Sequence, residues 1–238
     1  LLAHWSKRTR VNKDDLLRYD NNIVNHWQRI TAKRNISEGR TLHLKYFQYL
    51  ALLFTEIYLD NYFRHPDALL AEINTVIDAY NDGKPDKDQV ETFEASELNK
   101  LAFWMATGSG KTLLMHCNLL QYQHYLKKHR RENEIDRVIL LTPNEGLSEQ
   151  HRKEFALSDI EAGIFSKQGL GSFLNQDRIE IIDIHKLADS SGDKTVDVAA
   201  FEGRNLVLVD EGHSGASSGG DGAWMTRRNA LCENGFSF

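Results

Sequence analysis

The chain has 238 residues, of which 41% are hydrophobic and 26% are charged, and these values are ordinary for a globular protein with one large domain or two small ones. Its apolar runs, such as residues 49–54, are too short to cross a bilayer, so a membrane-spanning protein is excluded. The net charge of −5 argues against a surface that binds nucleic acid throughout, and two cysteines outside any metal-type cluster favour a reducing cytoplasm.

The first 100 residues have mainly helical patterns, and we predict that they form a region separate from residues 101–238. Residues 42–63 are apolar and aromatic on nearly all sides, which predicts a buried helix. Residues 67–80 place apolar side chains on one stripe at helical spacing, and the Asn-Asp-Gly sequence at residues 81–83 is typical of a helix end.

Charge is unevenly distributed within this helical region. Residues 1–40 contain nine Lys/Arg and four Asp/Glu, a net +5, whereas residues 41–100 contain five and eleven, a net −6. Trp5, Tyr19 and Trp27 lie within the basic segment. It either contacts the phosphates and bases of a nucleic acid or forms a solvated helix face, and the sequence leaves both possibilities open.

A glycine-rich loop follows the predicted boundary between the regions. Residues 105–112 read Met-Ala-Thr-Gly-Ser-Gly-Lys-Thr, after an apolar run at residues 101–105 that predicts a buried parallel strand and before a helical pattern. The glycines allow a tight turn whose N–H groups point at phosphate oxygens, next to the positive end of a helix. Lys111 is expected to bind the β- and γ-phosphates of ATP, and Thr112 is expected to bind Mg²⁺. The predicted nucleotide-binding residues are Ala106, Thr107, Gly108, Ser109, Gly110, Lys111 and Thr112.

This loop alone does not settle the assignment. Met105 stands where the phosphate-loop pattern has a glycine, and an ordinary glycine turn before a helix is the alternative.

Short strands and helices alternate after the loop, which predicts a doubly wound parallel sheet. Residues 137–141 indicate a strand, followed by a turn at Thr-Pro-Asn-Glu-Gly and a helix from Leu147 onward. Residues 179–185 alternate and then turn, which indicates another strand. Both segments present polar groups at a strand's carboxyl end, where α/β sheets bind ligands, but ordinary connections also explain them.

An acidic pair follows the apolar run at residues 205–209. Asp210 is expected to hold Mg²⁺ opposite Thr112, and Glu211 is expected to act as the base for an attacking water. Such a pair by itself is usually a solvated strand end; beside a phosphate loop it indicates the hydrolytic half of one site. Residues 212–222 contain five glycines and predict either a loop that orders on binding or a simple linker.

Three ordered segments resemble the first three motifs of superfamily two helicases and translocases, namely residues 105–112, 140–150 and 209–213. The resemblance is strongest to the ATPase module of the type III restriction enzyme Res subunit and its DEAD/DEAH-like relatives, in which a methionine before the loop is familiar. It implies a P-loop RecA-like fold, with a three-layer doubly wound parallel sheet preceded by the helical region.

The same resemblance implies roles for further residues. Gln48 corresponds to an upstream glutamine that recognises adenine, although its separation of 63 positions from Lys111 requires a helical insertion. His213 is implied to couple the ATP site to the nucleic-acid site; a structural hydrogen bond is its alternative. Gln150 is implied to support the loop at the nucleic-acid site. The implied nucleic-acid contacts are Thr142, Pro143, Asn144 and His185, with Lys186 as a further candidate.

The resemblance also implies partners. Motors of this superfamily close two RecA-like lobes on one ATP, so we interpret the chain as a fragment that needs a second lobe and is weakly active without it. The expected function is Mg²⁺-dependent ATP hydrolysis that drives movement along DNA in a restriction-modification system, with a methyltransferase subunit as a possible partner. The alternatives are an RNA helicase lobe and a non-catalytic nucleotide-binding module.

Overall fold

The structure is a computed structural model that describes residues 11–165, 178–188, 195–211 and 221–238, the last of these with side chains from residue 225. The predictions for His213, Trp5 and most of the glycine-rich segment lie outside the described residues. The described residues form six α-helices, which are α1 (Lys13–Glu38), α2 (Tyr46–Arg64), α3 (Pro66–Asn81), α4 (Lys111–Lys128), α5 (Glu145–Leu157) and α6 (Asp221–Cys232).

The strands of the described chain are β1 Arg137–Thr142, β2 Ala162–Ile164, β3 Ile179–Asp183, β4 Leu187–Ala188, β5 Val196–Asp197, β6 Asn205–Val209 and β7 Phe236–Ser237. Among these, five parallel strands form the main sheet in the order β2-β3-β1-β6-β7, and β4 and β5 pair separately. The central strand β1 pairs with β3 and β6, with Leu141 opposite both Ile182 and Val209. The carboxyl ends of the three strands therefore meet at one edge of the sheet.

Each face of the sheet is covered by helices, which makes three layers. Leu140 of β1 points into a core shared with α1, α2 and α4, whereas Ile139 and Leu141 point into a second core that includes Leu231 of α6. This alternation follows from the period of two along a strand. The architecture confirms the predicted α/β fold with a helical N-terminal region.

The predicted strand at residues 101–105 is wrong. The preceding residue, Lys100, forms an isolated parallel bridge with Ser237, and within 101–105 the Leu101 N–H donates to the Ser237 carbonyl (3.0 Å). β7 occupies the position next to β6 and is only two residues long, so within the described chain residues 102–105 have no strand to pair with. Trp104, expected to be buried, is 98% exposed.

The N-terminal helices are more exposed than predicted on some faces and more buried on others. Tyr46 and Phe54 of α2 are exposed, and α3 has no buried residue, so its apolar stripe is only half covered. Tyr19 and Trp27 are buried and bond to the Asp60 carboxylate and the Leu42 carbonyl, respectively. These two aromatic rings therefore cannot stack on bases.

Candidate active site

The glycine loop forms the tight turn that the sequence predicts. Gly108 and Gly110 have φ angles of 74° and 90°, in the left-handed region that favours glycine. The Ser109 N–H donates to the Ala106 carbonyl (3.2 Å), and Gly110 caps the start of α4. Thr107, like Ala106 and Gly108, is exposed on this turn. The loop thus presents its backbone at the N-terminus of an 18-residue helix, where anions bind.

Gln48 lies against this loop, although it is distant in sequence. The helix α3 and the segment after it account for the intervening residues, which is the helical insertion that the prediction required. The Gln48 amide Nε2 donates to the Ser109 carbonyl (2.8 Å), and Oε1 accepts from the Lys45 N–H (2.9 Å). Gln48 therefore holds the loop through the Ser109 carbonyl. Its recognition of adenine stays a prediction.

Lys111 meets the acidic pair across a cleft. Its Nζ lies 3.1 Å from Oε1 of Glu211, and both side chains are about one-third exposed, at 33% and 31%. Glu211 has a φ of 52°, an unusual left-handed conformation for a residue other than glycine. Two elements that are 100 residues apart in sequence thus bring a cation and a carboxylate to one point.

Asp210 is held by a histidine. Nε2 of His151, on α5, lies 2.8 Å from Oδ2 of Asp210, and the Asp210 N–H donates to the Leu141 carbonyl (3.1 Å). Burial alone would raise the pKa of the Asp210 carboxyl, but the hydrogen bond from His151 and the positive charge of Lys111 outweigh it and hold this pKa below its usual value. The carboxylate is therefore ionised at neutral pH.

Lys111 and the acidic pair line one cavity of about 750 Å³. Its polar lining includes Thr107, Lys111, Thr112, Asp210 and Glu211. The hydroxyl of Ser109 is buried without a hydrogen-bond partner among the described residues. A loop of backbone donors, a lysine, a hydroxyl and two carboxylates is the set of groups that Mg²⁺ and a triphosphate require, so the residues fit this ligand.

The sequence matches the family described as type III restriction enzyme, res subunit, over residues 68–231, which is more than half of the chain. The chain belongs to this family. The matched residues are therefore part of a helicase-type ATPase module, a class that typically uses ATP and Mg²⁺ and that interacts with nucleic acid. No curated protein and no solved structure matches the chain.

The Res-type resemblance assigned nucleic-acid contacts to the loop after β1, and the structure separates their positions. Asn144 is exposed, and its Oδ1 accepts from the Leu147 N–H (2.9 Å) as the N-cap of α5; Pro143 is half-buried. Thr142 is fully buried, with its hydroxyl 2.6 Å from the hydroxyl of Ser148. We therefore correct the role of Thr142, because a buried hydroxyl positions the loop and cannot contact a ligand.

The other predicted contacts lie at the end of β3. His185 is exposed, and its N–H donates to the Asp183 carboxylate (3.0 Å). Lys186 forms a salt bridge with Glu145 at the start of α5 (2.9 Å), and this carboxylate partly neutralises its positive charge. Asp183 is paired in register with Thr142, which brings this strand end beside the loop after β1.

The contact of His151 with Asp210 is the feature of this site that the sequence did not reveal. Its neighbour Gln150, which was expected to support the loop, is exposed. The buried face of α5 instead consists of Ser148, His151 and Phe155, at helical spacings of three and four. A histidine on the apolar face of the helix after β1 was the available signal.

Among the described residues, no helix has the length and apolar character needed to cross a membrane.

Proposed function

We propose that the protein hydrolyses ATP with Mg²⁺ to move along or unwind DNA, as the Res-like subunit of a restriction-modification system in the cytoplasm. The observation that carries this proposal is the 3.1 Å contact between Lys111 of the phosphate loop and Glu211 of the acidic pair. A lysine and a carboxylate that meet at the carboxyl edge of a parallel sheet, beside a helix N-terminus, support phosphoryl chemistry.

In this proposal, each group has a separate task. The loop N–H groups hold phosphate oxygens. Lys111 breaks its contact with Glu211 and binds the β- and γ-phosphates instead. Thr112 and Asp210 hold Mg²⁺, which when bound neutralises charge on the phosphates. Glu211, released from Lys111, orients the attacking water and accepts its proton. His213 is proposed to couple this site to the nucleic acid.

The nucleotide base is proposed to lie in an apolar groove of about 750 Å³ on the other side of residues 102–106. Phe47, Phe54, Phe103 and Trp104 line this groove, which reaches Ser109 of the phosphate loop. Aromatic walls suit a planar base, and Gln48 is on the helix that supplies Phe47.

Three further parts of the proposal concern partners. DNA is proposed to contact the strand-end loops, including Pro143, Asn144 and His185. A second RecA-like lobe is proposed to complete the ATP site, and a methyltransferase subunit is a possible partner.

We also propose that the chain divides into a helical region, residues 1–100, and an ATP-binding lobe, residues 101–238. An RNA helicase is the main alternative, because contacts to 2′-hydroxyl groups distinguish RNA from DNA; a non-catalytic nucleotide-binding module is the second.

The first test replaces the phosphate-loop lysine. Lys111→Ala removes the cation that binds the phosphates, so we expect binding of Mg-ATP to be lost in isothermal titration calorimetry. Lys127→Ala is the matched control, because Lys127 is exposed at the far end of the same helix. If Lys111→Ala binds Mg-ATP as well as the parent does, the phosphate-loop assignment is wrong.

The second test addresses hydrolysis and the nucleic acid together. Glu211→Gln should keep nucleotide binding but lower nucleic-acid-stimulated phosphate release by roughly a hundredfold or more, since a positioned base contributes about 10²–10⁴-fold. Glu233→Gln, at an exposed carboxylate beyond α6, is the control. Duplex DNA, single-stranded DNA and RNA are compared as activators. Greatest stimulation by RNA supports the RNA helicase, whereas unchanged turnover in Glu211→Gln excludes the catalytic role.

A further inference from the structure

The imidazole of His151 makes one directional contact within the described part of the chain. Its side chain is 4% exposed, and Nε2 lies 2.8 Å from Oδ2 of Asp210. Because an ionised carboxylate only accepts hydrogen bonds, Nε2 carries the hydrogen and donates it. Nδ1 is buried and has no hydrogen-bond partner among the described residues. Within the described residues, Asp210 is therefore the hydrogen-bond partner of this ring.

The backbone of Asp210 is fixed independently of this contact. Its N–H donates to the carbonyl of Leu141 (3.1 Å), which continues the pairing of β6 with β1. The freedom that remains is rotation of the side chain, and the hydrogen bond from His151 restricts that rotation. The histidine therefore determines the direction in which the carboxylate faces.

The helix that carries His151 is attached at both ends. At its N-terminus, Asn144 caps the helix and Ser148 bonds to Thr142 (2.6 Å), so α5 moves with the loop after β1. Near its C-terminus, Lys33 of α1 donates to the Ala156 carbonyl (2.9 Å). A rigid element thus joins the loop at residues 142–144 to the carboxylate of Asp210.

We propose that His151 is a positioning residue that orients the Asp210 carboxylate toward the magnesium ion, and that α5 links this orientation to the loop at residues 142–144. The inference rests on the proposed function of Asp210 as a magnesium ligand. Groups that hydrogen-bond to a metal ligand fix its direction, and their loss weakens metal affinity about 10–100-fold.

The test measures metal binding directly. Mn²⁺ is titrated into the protein with a non-hydrolysable ATP analogue and followed by electron paramagnetic resonance. His151→Leu should weaken Mn²⁺ binding about tenfold or more. His116→Leu is the matched control: His116 is also buried and stacks on Phe155 (ring centroids 4.1 Å), but it bonds to Ser158 (2.8 Å) and not to Asp210. It should leave Mn²⁺ affinity unchanged.

Rescue by a related side chain separates positioning from packing. The amide of His151→Gln is long enough to replace Nε2–H and should recover most of the affinity, whereas the shorter His151→Asn should not. Equal affinities for parent and His151→Leu, equal losses in His151→Leu and His116→Leu, or equal affinities for Gln and Asn each overturn the inference. If thermal unfolding shows that His151→Leu is not folded, the comparison of Gln with Asn decides.

A second arm tests the link through α5. Single-stranded DNA should raise the Mn²⁺ affinity of the parent, and Ser148→Ala, which breaks the contact with Thr142 without touching Asp210, should abolish that increase. Absence of any DNA effect in the parent overturns the link. A parent that binds neither Mn²⁺ nor nucleotide overturns the proposed function itself, whereas normal binding in the parent and in His151→Leu overturns only this inference.

Discussion

Residue 110 requires glycine for two independent reasons. Its φ angle of 90° is in the left-handed region, which costs other residues roughly 1–2 kcal/mol. A Cβ at this position would also lie 2.6 Å from Nε2 of Gln48. Gly108 has a similar φ of 74°, but a Cβ there would meet no described atom within 4 Å. An alanine at residue 108 would therefore cause backbone strain alone, whereas an alanine at residue 110 would cause both backbone strain and a steric contact.

We expect Gly108→Ala to lower the free energy of unfolding by about 1 kcal/mol, through strain alone. Gly110→Ala should cost about 1 kcal/mol more, at the low end for overpacking, since only the flexible end of the Gln48 side chain must move. Urea unfolding measures both variants. Adding Gln48→Ala to Gly110→Ala should remove the additional cost, and equal destabilisation by the two alanine substitutions would show that the contact with Gln48 is unimportant.

Single residues could be predicted from the sequence where a local motif, such as a phosphate loop, requires a particular residue type. Lys111 and Glu211 were identified because a glycine turn and an acidic strand end are recognisable locally, and the structure brings them into contact. Thr142 was misjudged because burial depends on the neighbouring helix. His151 was missed since its partner, Asp210, lies 59 residues away and only the fold brings the two together.

At the scale of elements, one buried carboxylate on α2 joins three helices. Asp60 is 2% exposed and bonds to the Tyr19 hydroxyl (2.7 Å) and Arg18 (2.8 Å) of α1 and to Lys128 (2.8 Å) of α4. Burial alone would raise the pKa of Asp60, but the hydrogen bonds from Lys128 and Tyr19 and the nearby positive charges lower it to about 2.

Asp60→Asn should lower the free energy of unfolding by roughly 2–3 kcal/mol, because it replaces the charge-assisted hydrogen bonds from the partly exposed Arg18 and Lys128 with weaker ones at a buried position. The folded-state pKa lies below the unfolded value, so the stabilisation is present above about pH 4 and is lost as the pH falls toward 2. Urea unfolding at several pH values should show this loss in the parent and a flatter profile in Asp60→Asn. Asp78→Asn, on the exposed face of α3, is the control; a similar effect there would refute the role of the network.

Elements were predicted well where the pattern alone determines them. The strands β1 and β6 and the helices α4 and α5 follow from apolar runs and turn residues that need no tertiary information. Residues 101–105 have the same apolar character, yet β7 is too short to pair with them. The stripe of α3 is equally clear in the sequence, but whether a neighbour covers it depends on the arrangement of the whole chain.

At the scale of the whole molecule, the helical region and the sheet are joined through a common core. Side chains of α1 and α2 pack with α4 and with β1, and Gln48 of α2 holds the phosphate loop. The division at residue 100 stays a prediction, but the helices before it contribute to the support of the site. The sequence predicts a separate region because its charge distribution and helical periodicity change near residue 100. Packing between the two regions cannot be read from these patterns.

The contact between Lys111 and Glu211 has a consequence for selectivity among anions. A phosphate-loop lysine that already has a carboxylate neighbour offers little to a singly charged competitor, because such an ion only exchanges one negative partner for another. A polyphosphate brings several charges and many acceptor oxygens at once, so we expect it to displace Glu211 from Lys111 more readily than chloride or acetate does.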